Sequence, residues 1–340
     1  MLLVYGAYGY TGELIVRHAV ERGLRPVVAG RDPSKLEPLA RELGLDARVF
    51  GLRDPVEVKR GLAGAKVVLH CAGPFFATFD AMARACIAVG AHYLDITAEG
   101  PVFRAAEALS GEAGRAGVML LPGAGFDVVP TDAMAAHLVR RMPDARTIVL
   151  AFKTTGGISR GTAKTAMALS DSAPADPGRH PASRTFDFGK GPVPCLSIAW
   201  GDLVTAPHST GVKDVATYMA APRRRRLAMR LMPHLAPALR LPVVGPAAVA
   251  LLTRGRAGPD AAARERGRSI VVGEASGPDG RRIVSRSQHV EAYRFTALAA
   301  VELALRALAG DAKRGWQTPS SAYGPDVAQS IPGSSREDLA

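Results

Sequence analysis

Leu2-Leu3-Val4-Tyr5-Gly6-Ala7-Tyr8-Gly9-Tyr10-Thr11-Gly12 opens the chain and leads into an amphipathic run at 13–22. An apolar run that breaks at Gly6 and turns helical near Tyr10 or Thr11 is the strand, turn and helix of a dinucleotide-binding unit. Each glycine has a physical reason. Gly6 permits the tight turn off the strand, Gly9 lets the backbone approach a pyrophosphate, and Gly12 lets the helix sit close to the strand. The helix start then offers unpaired N–H groups and a partial positive charge to the phosphates. Tyr8, Tyr10 and Thr11 lie among these glycines and join them as candidate cofactor contacts.

In a chain with 36 glycines such a triplet arises by chance, so its context decides. A second apolar run, Pro26-Val27-Val28-Ala29, ends at Gly30-Arg31, where the second strand of such a unit should end. An acidic residue there would accept from the ribose 2′-hydroxyl of NAD. Arg31, with Ser34 and Lys35 just behind it, suits a 2′-phosphate instead, and the expected cofactor is NADP(H).

At 340 residues the chain exceeds one such unit and suits two domains. Its 47% hydrophobic and 22% charged residues are the composition of a globular protein. No apolar run reaches the ~18 residues of a membrane span, and a first strand beginning at Leu2 leaves no signal peptide to expect. Cys71, Cys86 and Cys195 are too widely spaced for a disulfide framework or a Cys-x-x-Cys metal site, so a cytoplasmic location and no metal are expected. The net charge of +12 comes from 43 basic and 31 acidic residues, spread thinly except at Arg223-Arg224-Arg225-Arg226. No basic motif with interleaved aromatics appears, which disfavours nucleic acid. An acidic protein partner or an anionic membrane surface fits the charge better.

Further along, 33–43 reads as a helix with Asp32 as N-cap, Pro33 at its first position and Gly44 as terminator. Strands at 47–50, 66–71, 92–96 and 118–121 alternate with helices at 55–62, 77–89 and 102–113. Such alternation predicts a doubly wound parallel α/β sheet. The strand at 66–71 ends in Cys71-Ala72-Gly73-Pro74-Phe75, a small rigid turn at the carboxyl edge that should pass beneath the cofactor, with Cys71 packed into it. The next strand delivers Asp95, Thr97 and Glu99 to the same edge.

Residues 122–132 break this rhythm and read as a crossing. The expectation is a Rossmann domain over 1–127, rejoined by the tail 311–340, and a second α+β domain over 128–310 built on a mixed sheet. Strands are expected at 147–153, 196–200, 270–275 and 282–289, with helices at 163–169 and 295–308. Residues 171–194 read as a long loop, and the tail beyond Gly315 as mostly loop. In 222–256, Leu227, Leu231, Leu235 and Leu239 recur at i, i+4 behind the four arginines. Two readings stay open for this stretch: a basic amphipathic hairpin touching membrane or an acyl chain, and a helical excursion packed on the second domain.

None of the seven tyrosines has Lys four residues on, which disfavours a short-chain-reductase acid. No Gly-x-Ser-x-Gly elbow or His-Glu-x-x-His pair appears, which removes the hydrolase and zinc readings. The remaining catalytic candidates are Asp95, Thr97 and Asp127 at the predicted edge and crossing, with Ser159 and Thr162 in the loop Gly156-Gly157-Ile158-Ser159-Arg160-Gly161-Thr162. Asp132 reads first as a helix cap, and Ser159 and Thr162 either donate to a substrate carbonyl or cap their own helix.

These blocks together resemble the saccharopine dehydrogenase-like NADP-binding family, in its trans-acting enoyl reductase branch. The resemblance rests on Gly6 to Gly12, Ala29-Gly30-Arg31, Ala72-Gly73-Pro74-Phe75, Tyr93-Leu94-Asp95-Ile96-Thr97, Gly125-Phe126-Asp127-Val128-Val129-Pro130-Thr131-Asp132 and the 156–162 loop. Gly258-Pro259, Tyr293-Arg294-Phe295-Thr296-Ala297 and Thr318-Pro319 continue it, and Ala98 departs from it where the family carries Gly. It implies an NADPH-dependent oxidoreductase that reduces the C=C of an enoyl thioester on a polyketide or lipid chain held by a separate synthase. An acidic acyl carrier protein is the partner it implies. An amino- or imino-acid reductase using Lys153, Arg160 and Lys164, and a non-catalytic NADP-binding scaffold on lipid, are the competing expectations.

Overall fold

The computed structural model describes residues 1–155, 159, 182–221 and 258–339. Thr162, the predicted helix at 163–169 and the stretch 222–256 lie outside the described residues. The first six strands, β1 (Leu2–Tyr5), β2 (Val27–Gly30), β3 (Ala47–Val49), β4 (Val67–His70), β5 (His92–Asp95) and β6 (Met119–Leu121), are all parallel and run in the order 3-2-1-4-5-6. That is the Rossmann order, and it reverses between β1 and β4, opening a crevice at their carboxyl ends.

Six helices connect these strands, in chain order α1 (Tyr10–Glu21), α2 (Pro33–Leu43), α3 (Pro55–Gly61), α4 (Phe79–Val89), α5 (Gly100–Ala108) and α6 (Ser110–Arg115). Their ends follow local chemistry. Asp32 and Asp54 cap α2 and α3 by accepting from the amides two residues on, each ahead of a proline at the first turn. Gly44 and Gly90 end α2 and α4 at φ of 62° and 72°. The single helix expected over 102–113 is two helices jointed at Leu109, where Gly111 and Gly114 weaken the helical drive.

Beyond β6, 122–128 is a short turn that leads directly into α7 (Val129–Arg141). Nine of the thirteen residues of α7 are buried, which blurs the amphipathic period that would have announced it. The second sheet takes β7 (Thr147–Thr154), β8 (Ser183–Asp187), β9 (Pro192–Ser197), α8 (Asp202–Thr210), β10 (Asp214–Ala220), α9 (Ala261–Arg266), β11 (Arg268–Ser276), β12 (Arg282–Val290) and α10 (Ala292–Leu308) in chain order. Part of the loop expected over 171–194 is therefore β8 and the start of β9. With β14 (Ser335–Asp338) at one edge, its sheet order is 14-12-11-7-10-9-8, mixed because β7 and β10 are parallel while its other pairs are antiparallel. The sheet curls strongly. Arg184 of β8 pairs with Glu274 of β11 and the backbone at Gly189 lies against Arg286 of β12, although β8 and β11 are four places apart. Val149, Ala151, Phe186, Cys195, Tyr218 and Val272 fill the inside of that curl.

The tail beyond Gly315 is mostly loop and turn, and it carries three short elements. β13 (Gly315–Trp316) adds to β6 in the first sheet, α11 (Pro319–Tyr323) follows with a Thr318 capping box, and β14 (Ser335–Asp338) adds to β12 in the second. Between the sheets, α7 lies on β7, β11 and β12, while α10 packs along α1 and reaches β4 and β5. A single apolar core joins them, with Phe126 edge-on to Phe152 of β7 and to Phe295 of α10.

Candidate active site

Gly6 takes φ of +80°, and its amide donates to Ala29 O at 2.8 Å, closing β1 onto the end of β2. A Cβ on Gly12 would lie 2.3 Å from Gly6 O, and one on Gly6 would lie 2.9 Å from the amide nitrogen of Ala72. The three glycines thus pack helix, strand and the β4 turn into one close assembly. Gly9 N-caps α1 in extended conformation with no side chain closing the helix start. That start, aimed at the crevice, is built to receive a diphosphate.

At the end of β2, Arg31 is exposed and makes no hydrogen bond or ion pair among the described residues. Ser34 and Lys35 are both held by Asp32, Ser34 Oγ at 2.7 Å and Lys35 Nζ at 3.0 Å. Tyr8 lies across Gly30, where a Cβ would sit 2.5 Å from its ring, and with Glu13, Ser34 and Lys35 it lines a cavity of about 300 Å³ between α1 and α2. This half of the site suits an adenosine 2′-phosphate, with Arg31 as the uncommitted cation and Lys35 shared with Asp32.

The β4 turn, residues 71–75, is bound from β5. Glu99 accepts from the amides of Phe75 and Phe76 at 2.9 and 2.6 Å, Thr97 Oγ1 accepts from Glu99 N, and Asp95 accepts from Thr97 N. Asp95 also accepts from Tyr93 Oη at 2.6 Å and Gly123 N at 2.9 Å, tying β5 to the turn after β6. Asp95 and Thr97 are thus brought together beside Ala72, Gly73 and Pro74, with their polar atoms braced on the backbone. Burial still pushes the Asp95 carboxyl up to about 7. Ala98 fits without strain, since no non-glycine residue among those described has positive φ. Cys71 packs in this turn, its thiol raised far above the usual range by burial.

Asp127 is different. It is half-buried in the turn between β6 and α7, its carboxylate has no hydrogen bond or ion pair among the described residues, and burial pushes it up to about 6. Its carbonyl oxygen accepts from Trp200 Nε1 at 2.7 Å, and the Trp200 ring packs on Phe152 at 5.5 Å. The second sheet therefore fixes the backbone of Asp127 and leaves the side chain uncommitted. Asp132, read as a cap for its own helix, caps α11 instead: it accepts from Ser320 N at 2.7 Å and from Ser209 Oγ.

Trp200 and Asp202 were not singled out in the sequence. Asp202 is buried on α8, accepts from Thr131 Oγ1 at 2.6 Å, and is pushed up to about 7 by burial, with Asp132 and Asp127 adding to the shift. The Gly201-Asp202 pair opening a helix was the signal available. Ser159 is buried, and its amide donates to Tyr293 Oη at 2.6 Å; Tyr293 in turn meets the Tyr10 ring edge-on at 5.1 Å. Tyr10 thus joins α1 to the second sheet. Among the described residues no cluster of His, Cys, Asp and Glu suits a metal. Nor is any of their helices long and apolar enough to cross a membrane.

Comparison with known proteins bears on the same residues. Residues 2–121 match the family described as the saccharopine dehydrogenase NADP binding domain. A Mycobacterium tuberculosis protein named as a trans-acting enoyl reductase is 28% identical over 255 residues, which is 67% of this chain and 60% of that one. The trans-acting enoyl reductase of Mycobacterium ulcerans is 27% identical over 235 residues, 62% of this chain and 56% of its own length. The chain thus spans less than two thirds of these relatives. Among solved structures, the saccharopine dehydrogenase (L-Glu forming) of Saccharomyces cerevisiae covers 100% of this chain and 99% of its own, at TM-score 0.65 and 12% identity. The homospermidine synthase of Legionella pneumophila, solved with NAD, covers 99% of this chain and 91% of its own, at TM-score 0.67 and 10% identity. These two likenesses are likenesses of fold.

Proposed function

We propose, from the match of residues 2–121 to the saccharopine dehydrogenase NADP binding domain, that the chain is an NADPH-dependent reductase of the C=C bond of an enoyl thioester on a polyketide or lipid chain. The observation that carries this reading is Asp127, an uncommitted carboxyl of raised pKa in the turn that joins the cofactor sheet to the second sheet. The names borne by the mycobacterial relatives support the choice of substrate class.

Gly6, Gly9 and Gly12 fit NADP(H) at its diphosphate, Arg31 and Lys35 at its 2′-phosphate, and the 71–75 turn beneath it. Bound NADPH supplies the hydride that the β-carbon of the enoyl thioester accepts. Asp127 holds a proton on its carboxyl oxygen and delivers it to the α-carbon, as an acid of pKa near 6 is suited to do. Ser159, and Thr162 outside the described residues, are the proposed donors to the thioester oxygen, where negative charge develops. Asp95, Thr97 and Glu99 act by holding the turn. An acidic acyl carrier protein docking on residues 223–226 is the partner proposed to present the chain.

The test is NADPH oxidation with a panel of enoyl thioesters, free and carrier-bound, followed by fluorescence. Thioester-dependent oxidation supports the reading, and tight NADPH binding without turnover on any thioester overturns it. One observation favours a second reading: Lys153, half-buried on β7, has no ion pair among the described residues and would suit a substrate carboxylate of an imino acid. Turnover of imino acids in place of thioesters would establish it.

A further inference from the structure

Beyond the glycine loop and the 2′-phosphate cations, the structure assigns Arg264, on α9 of the second unit, as a ligand of the NADP diphosphate held in place by Tyr10. Tyr10 is the first residue of α1. Side chains of a helix tilt toward its N-terminus, so a ring at this position projects past the helix start, over the face that receives phosphate. There Tyr10 Oη donates to Pro259 O at 2.5 Å and accepts from Arg264 Nη1 at 3.1 Å. Gly258 makes room for the contact, since a Cβ on it would lie 2.5 Å from the Tyr10 ring. Arg264 Nη1 is fixed a second time by Pro259 O at 2.6 Å, and the guanidinium carbon stands 5.9 Å from the ring centroid.

The guanidinium is therefore oriented by one of its nitrogens, while Nε and Nη2 donate to nothing among the described residues. Among the described residues no carboxylate forms an ion pair with it. Glu291, whose charge acts on Arg264, accepts from the amides of Tyr293 and Arg294 through Oε2, as the N-cap of α10. A half-buried, pre-oriented arginine whose Nε and Nη2 are uncommitted among the described residues, beside the start of α1, calls for an anion, and the anion this helix start serves is the diphosphate. The consequence is that the second unit contributes to cofactor affinity. This inference rests on the NADP binding domain and not on the identity of the substrate.

The experiment measures the affinities of NADPH and NADH by fluorescence for the whole chain and for Arg264→Gln, Arg264→Lys and Arg31→Gln, with thermal melts of each. A diphosphate ligand is common to both cofactors. Arg264→Gln is therefore expected to weaken NADPH and NADH by the same factor, about tenfold, as for a lost charge-assisted hydrogen bond. Arg264→Lys should recover part of the loss, and Arg31→Gln should weaken NADPH alone. Unchanged affinities in a folded Arg264→Gln variant overturn the assignment. A loss confined to NADPH overturns it too, because the guanidinium would then serve the 2′-phosphate. If wild-type protein binds neither cofactor, the role of the glycine loop fails instead, a distinguishable result.

Discussion

Burial raises both Asp127 and Asp202, and they differ in what burial does for them. Asp127 has no partner among the described residues and a carboxyl pushed up to about 6, so it keeps its proton well above the usual carboxylate range. If it is the proton donor, kcat/KM for reduction should be flat below about pH 6 and fall tenfold per unit above it, and Asp127→Asn should lower kcat by roughly 10²–10⁴ with NADPH affinity unchanged. An unaltered profile in the variant would remove Asp127 from the reaction. Asp202 sits on the hydroxyls of Thr131 and Thr217, and the negative charge of Asp132 adds to its shift. Its folded pKa, about 7, lies above the unfolded value of about 3.9, so the native state holds an extra proton between them. Its contribution to stability is complete below about pH 4 and is lost as pH rises through about 7, with a slope of at most ~1.4 kcal/mol per unit. Melting temperatures of Asp202→Asn should fall less between pH 5 and pH 8 than those of the wild type. Parallel curves would show that Asp202 is not the titrating group.

Glycines at element starts and interiors obey opposite rules. Gly12→Ala would push a Cβ to 2.3 Å from the carbonyl of Gly6, a backbone atom that moves only with the whole loop. The expected result is a loss of about 1–3 kcal/mol of stability and of measurable NADPH binding, read by melts and fluorescence. Gly114, inside α6, has nothing within 4 Å of such a Cβ, and Gly114→Ala should add about 0.5–1 kcal/mol. If both substitutions prove neutral, the close packing of α1 on β1 is not what holds the loop. Elements of this kind were legible in the sequence because their signals are local: the Gly6 to Gly12 spacing, and the Asp32, Pro33 and Gly44 punctuation of α2. Others were not. α7 buries nine of its thirteen residues and shows only a blurred stripe, and Trp316 reads as tail until β6 offers it a parallel partner. Asp127 was singled out by its place in the chain. That Trp200 would fix its backbone and leave its carboxyl uncommitted depends on residues 73 apart.

At the scale of the molecule, the question is whether the cofactor sheet is a unit that stands alone. Its strand order is complete at β6, yet its edge is extended by β13 from the tail, where Trp316 N donates to Ser110 Oγ at 3.0 Å. One face is covered by α10, which packs along α1 and whose Thr296 Oγ1 accepts from Phe126 N at 3.0 Å, in the same turn as Asp127. Core residues of both sheets form one apolar cluster through Phe126, Leu150 and Phe295. A fragment of residues 1–127 would expose the α10 face of α1, β4 and β5, an apolar patch that invites dye binding and aggregation. We expect that fragment to bind a hydrophobic dye and melt without a cooperative transition, while the whole chain melts in one. NADPH at about 100 times its Kd should then stabilise that single transition by about 2.7 kcal/mol, carrying both sheets with it. Cooperative melting of the fragment, or a ligand shift confined to one of two transitions, would show two independent domains.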